Sequence, residues 1–281
     1  MNLKPFLIGL IPFVFLFAPG VYASLSSVDV SAQYGVLPVD SDMAFAGSFP
    51  FSAETHALVG SKPDDYAQSD AAIAIDAANP HPRCQISSLT DGYVTGSSGV
   101  SIYAHSQAVS SADWLIDSDT LPIGTPVRVW LEVGFDGQFY SVNGNCTSSA
   151  EASILLDGDE IYSGSALFAN PDRTANGFWT DDLYENGDKA YDLYDLSTLI
   201  FDTAIGEIIN LNFSVQTEID CTNIIDAGAS VDLTGNGYYS FSLASDFNFP
   251  PKVLDVDFVL IPEPASLLLL AAGLLRLRSK I

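Results

Sequence analysis

Apolar and polar residues alternate with a period of two in stretch after stretch of this chain, a pattern that points to half-buried β-strands. In Ile209 to Gln216, Ile209, Leu211, Phe213 and Val215 fall on one face, and Asn210, Asn212, Ser214 and Gln216 on the other. Val28 to Tyr34, Val127 to Val133, Tyr239 to Leu243 and Leu254 to Phe258 alternate in the same way, and Val100 to His105 and Glu151 to Leu156 do so more weakly. One buried face and one wet face is how antiparallel strands behave. Turn residues separate the runs at Pro122 to Pro126, Phe135-Asp-Gly-Gln138, Asn143-Gly-Asn145, Leu156-Asp-Gly-Asp159 and Thr234-Gly-Asn-Gly237. Asp-Gly and Asn-Gly pairs supply the positive φ that tight hairpins need. Only Tyr184 to Ile200 leaves room for one or two helical turns, and no internal repeat is evident. The expectation is an all-β fold over residues 24–260, an antiparallel β-sandwich of jelly-roll-like or immunoglobulin-like type.

Charge narrows the partners. Ten Lys and Arg stand against 35 Asp and Glu, a net charge of −25, so the chain lacks the basic patch that neutralises phosphates, and nucleic acid is excluded as a partner. Hydrophobic residues make up 48% and aromatics 11%, enough to build a core and to exclude wholesale disorder. Residues 24–261 hold 34 of the 35 acidic side chains and only six of the ten basic ones, so both ends are basic and apolar while the middle is acidic. A chain handled by membrane machinery at both ends would have that distribution.

Residues 1–23 have the layout of a secretory signal peptide, with Lys4, an apolar run from Phe6 to Phe17, and a small-residue site at Val21-Tyr22-Ala23, after which cleavage is expected. Residues 261–281 read Ile261-Pro262-Glu263-Pro264, an uncharged stretch from Ala265 to Leu275, and a basic end with Arg276, Arg278 and Lys280. Proline on both sides of Glu263 keeps the backbone extended, a strand-like shape a protease can take. The uncharged stretch would make about 16 Å of helix against a hydrocarbon core of about 30 Å, so it suits a transient membrane segment better than a permanent anchor.

This order of Pro262-Glu263-Pro264, hydrophobic segment and basic terminus resembles the PEP-CTERM sorting domain of Gram-negative bacteria. The resemblance implies Sec export, a transient stay in the inner membrane, processing by an exosortase-type membrane protease, and delivery to the cell surface or an exopolysaccharide matrix. Pro262, Glu263 and Pro264 would then be the recognition element, and Arg276, Arg278 and Lys280 the cytoplasmic stop. The runs GTPVRVWLEV from Gly124 and GEIINLNFSVQT from Gly206 are also similar to ectodomains carried by that signal.

Chemistry in the body is sparse. Three cysteines, Cys84, Cys146 and Cys221, imply one disulfide and one free thiol in an exported protein. Sequence does not choose among the three pairings; Cys146 with Cys221 is favoured here because both lie beside predicted strands in the latter half. His56, His81 and His105 form no close metal-binding pair, and no Gly-x-Ser-x-Gly elbow or phosphate-cradling loop occurs, so no catalytic residue is assigned. Two acidic loops gather oxygen ligands near glycine and make calcium the cofactor to consider: Asp157, Asp159 and Glu160, and Asp181, Asp182, Glu185 and Asp188. Neither has EF-hand spacing, and solvated acidic loops are the competing account. Trp179 and Tyr184 lie in the densest aromatic region and could stack on a glycan, although core packing is the favoured fate for most of these rings. The chain therefore reads as a non-enzymatic, exported surface or matrix protein. A carbohydrate-binding module, with or without calcium, is the second reading, and an extracellular glycan hydrolase the third.

Overall fold

The computed structural model describes residues 25–46, 51–62, 65–77, 82–95, 99–141, 145–169, 172–185, 190–234, 237–243 and 256–261. The expected signal peptide at residues 1–23, residues 262–281 and Asp188 lie outside them, and with them Pro262, Glu263, Pro264, Arg276, Arg278 and Lys280. Among the described residues no helix is long and apolar enough to cross a membrane.

The described chain is all β. In order the strands are β1 (Leu25–Tyr34), β2 (Asp40–Ala46), β3 (Phe51–Ser61), β4 (Asp65–Asp76), β5 (Arg83–Val94), β6 (Val100–Asp117), β7 (Pro126–Ser141), β8 (Cys146–Leu156), β9 (Asp159–Ala169), β10 (Asp172–Gly177), β11 (Leu183–Glu185), β12 (Ala190–Ala204), β13 (Ile208–Ile224), β14 (Ala227–Asp232), β15 (Gly237–Leu243) and β16 (Asp257–Leu260). They form two antiparallel sheets packed face to face as a sandwich. The first runs β10-β9-β8-β13-β6-β1-β2 with β16 beside β6; the second runs β11-β12-β7-β14-β5-β4-β3 with β15 between β5 and β7. The strands share one hydrophobic core that spans both sheets.

Alternation is realised as drawn. Ile209, Leu211, Phe213 and Val215 of β13 are buried, while Asn210, Asn212, Ser214 and Gln216 face outward. The Asp157-Gly158 pair closes the β8–β9 hairpin with both residues at positive φ, 52° and 91°, and with Leu156 paired to Asp159. That is the backbone a two-residue hairpin of this hand requires.

Two expectations are corrected. Asp136-Gly137 makes no turn; it lies within β7, which pairs with β12 along its whole length. Gly137 is needed there for space, because a Cβ would run into the Leu233 side chain and the Asp232 carbonyl. Nor does Tyr184 to Ile200 contain a helical turn in its described residues. Leu183–Glu185 is β11, and β12 takes up the region from Ala190, held by fifteen residues of ladder against β7. Backbone pairing of that length overrides a local helical spacing of Tyr and Leu.

Candidate functional site

The outer face of the first sheet carries a groove of about 380 Å³. Its floor is built by strands that bury small residues and turn polar ones outward. In β8, Ala150, Ala152 and Ile154 face the core while Glu151 and Ser153 face water; in β9, Tyr162, Gly164 and Ala166 face in while Ser163 and Ser165 face out. Register then sets polar side chains abreast. Gln107 of β6 lies opposite Gln216 of β13, Gln216 opposite Glu151 of β8, Glu151 opposite Ser165 of β9, and Ser165 opposite Asn176 of β10. At about 4.8 Å between strands this row is about 19 Å long.

Some of these groups bond to each other: Ser153 and Ser214 share a hydrogen bond of 2.9 Å, and Ser163 donates to Glu160 Oε1 at 3.0 Å. The side chains of Gln107, Gln216 and Glu151 have no hydrogen-bond partner among the described residues, so their donors and acceptors are open to the groove. Among the described residues no Lys, Arg or aromatic side chain lines it. Beneath its wall, a Cβ at Gly164 would meet the Trp179 indole at 2.7 Å, so only glycine lets that ring pack under the strand.

The acidic loops come out as follows. Asp157 sits in the β8–β9 turn, where its Oδ1 accepts the Asn210 N–H at 2.8 Å, and Asp159 opens β9 on the surface. Glu160 is held by Ser163. Asp181 and Asp182 occupy the turn before β11, which contains Glu185. Burial, and then the nearby carboxylates of Asp195 and Asp181, raise the Asp182 carboxyl above its ordinary range. Among the described residues no three His, Cys, Asp or Glu side chains form a group that could hold a metal.

Cys146 and Cys221 form the disulfide, a directly opposed pair of β8 and β13 with Cα atoms 4.1 Å apart. Cys84 is the free thiol; it is buried, and burial pushes it up to about 12.

Of the two fates open to Trp179, glycan stacking and core packing, the fold gives it the core. It is 0% exposed, and its Nε1 donates to Tyr162 Oη at 2.8 Å. Tyr162 in turn donates to buried Asp195, which also accepts from Ser197 at 2.7 Å, so this chain of bonds joins the two sheets. Burial and the Asp195 carboxylate raise the Tyr162 phenol far above its ordinary value. A buried indole N–H needs such a partner, and the turn around Trp179 is shaped to provide it. Tyr184 is exposed, on β11.

A second notable place lies where the described residues begin and end. Leu25, at the start of β1, pairs with Ser111 of β6; Leu260, at the end of β16, pairs with Trp114 of the same strand, and the Ile261 N–H donates to the Asp113 carbonyl at 2.9 Å. The first and last described strands thus meet on one strand. Their meeting leaves no signal in the sequence, because it depends on two long-range pairings.

No protein-family model, curated protein or solved structure matches the chain.

Proposed function

We propose that the protein is an exported, non-enzymatic β-sandwich, sorted through its C-terminal segment to the cell surface or an extracellular polysaccharide matrix. The observation that carries this reading is the position of the Pro262-Glu263-Pro264 motif. The sheet ladder runs to Ile261, and the motif follows at the next residue. A cut beyond it would leave β16 in place, with Phe258 stacked on Phe241 at 4.7 Å. Because the chain enters the sheet beside the same stretch of β6, the signal-peptide and sorting ends leave the body side by side. A sandwich carried at one point can be exported, held briefly at the inner membrane and released without disturbing its core. On this reading the Sec machinery and an exosortase-type protease are its processing partners.

Intact mass of the protein recovered from its own host tests this. The expected chain begins at Ser24 and ends close to Pro264, and Glu263→Ala leaves the tail attached. A wild-type protein that keeps Ala265 to Ile281 at its final location would sink the reading.

A further inference from the structure

We propose that the groove on the outer face of the first sheet binds a neutral polysaccharide through the amides of Gln107 and Gln216 and the carboxylate of Glu151. These side chains stand abreast on three adjacent strands and have no hydrogen-bond partner among the described residues. Each amide offers two donors and an acceptor, and the carboxylate offers acceptors only, so together they match hydroxyl groups, each of which both donates and accepts. The groove, at 380 Å³, has the volume of a ligand site. Its row of about 19 Å is long enough for several sugar units rather than one.

Charge selects the class of sugar. Glu151 and Glu160 line the groove, no Lys or Arg does among the described residues, and the chain carries −25, so uronate or sulfated polymers are repelled. Among the described residues no aromatic side chain lines the groove to stack on a ring, so recognition rests on hydroxyl groups met edge-on. The platform is rigid: β6, β13 and β8 are each paired on both sides, and the Cys146–Cys221 disulfide ties β8 to β13. Little ordering of the protein is then needed on binding. This site goes beyond the sorting reading and stands independently of it, since binding by the purified chain does not require that its tail be cut.

The test is affinity electrophoresis of the full chain, purified in mild detergent, through gels containing hydroxyethyl cellulose, galactomannan or alginate. Retardation is expected in at least one neutral gel and not in alginate. The Gln107→Ala/Gln216→Ala double variant, with an unchanged melting temperature, should bind about tenfold more weakly or worse, as the loss of two hydrogen-bonding side chains implies. Trp130→Ala, on the outer face of the second sheet, should bind as the wild type does. Absence of retardation in both neutral gels, stronger retardation in alginate, or binding that survives the double variant and fails in Trp130→Ala would each overturn the proposal. None of these results bears on whether the tail is cleaved.

Discussion

The two ends of the sandwich interior are filled by opposite means. Around β1, β3, β4 and the first half of β6 many inward residues are small: Ala32, Ala57, Ala67, Ala71, Ala104 and Ala108 are buried, and Ser69, Ser88, Ser106 and Thr217 with them, beside aliphatic Val28, Val30, Ile73 and Ile102. Facing strands there come within 8 Å, β1 against β3 and β4, and β6 against β4 and β5, where stacked sheets ordinarily stand about 10 Å apart. Hydrogen bonds cross the gap. Ser69 donates to the Ser31 carbonyl at 2.9 Å, Ser106 to the Asp70 carbonyl at 2.6 Å, and Ser88 bonds both Ser106 and Thr217 at 2.8 Å. Buried hydroxyls are tolerable because they pair with one another across the seam.

Toward the far halves of β6, β7 and β13 the filling is aromatic. Phe213 touches Phe135 and Tyr239 at centroid distances of 5.9 and 5.6 Å, and Trp114 packs edge-on to Phe241 at 5.2 Å while its Nε1 donates to Tyr239 Oη at 3.3 Å. The lesson is that one pair of sheets can be close-packed with either small or large side chains, provided their separation follows. The two regions should therefore fail in opposite ways when a side chain changes size.

The largest effect is expected from Phe213→Ala. It opens a cavity among rings that cannot collapse inward, and the expected loss is about 4 kcal/mol in urea unfolding. A loss under about 1 kcal/mol would show that the aromatic region is loosely packed. Next, Ala108→Leu in the small-residue region should cost about 2 to 3 kcal/mol by overpacking, since the facing strands leave no room for three more carbons. If that variant is as stable as the wild type, the close approach of the sheets is wrong.

The smallest effect comes from alkali. Burial holds the Cys84 thiol up to about 12 and raises the Tyr239 and Tyr162 phenols well above their ordinary values. Above the unfolded cysteine value the unfolded chain loses protons that the folded chain keeps. Stability is therefore fully present below about pH 8.5 and is lost progressively as pH rises toward 12. By pH 10 the loss should reach about 2 kcal/mol, and Cys84→Ala should remove most of it. A flat stability profile from pH 8 to 10 would mean that water reaches Cys84.

Legibility in the sequence followed the same division. Strands with strong hydropathy contrast, such as Ile209 to Gln216 and Val127 to Val133, were drawn with their buried faces correct, and so was the Asp157-Gly158 hairpin. β3, β4 and β5 went unassigned. In Asp65–Asp76 the buried Ala67, Ser69 and Ala71 alternate with Gln68, Asp70 and Ala72, and alanine against serine is too weak a contrast to mark a face. Of the candidate residues, the Cys146–Cys221 pairing is legible from neighbouring strands, while the loop around Trp179 leaves its ring open to stacking or to the core, and the fold buries it. Gln216 had been placed on a wet face; its alignment with Gln107 and Glu151 had left no signal.

What the sequence determined by itself was the strand character of its contrasted segments, their inward and outward residues and the two-residue hairpin, because each depends on neighbours along the chain. Only the tertiary structure decided which strands lie abreast, how far apart the sheets stand, and that the first and last strands meet on β6. A shift of register by two residues preserves every inward and outward face, so alternation is silent on register. It is settled by long-range packing between the sheets, small residues against small and rings against rings. That same choice set Gln107, Gln216 and Glu151 in one row.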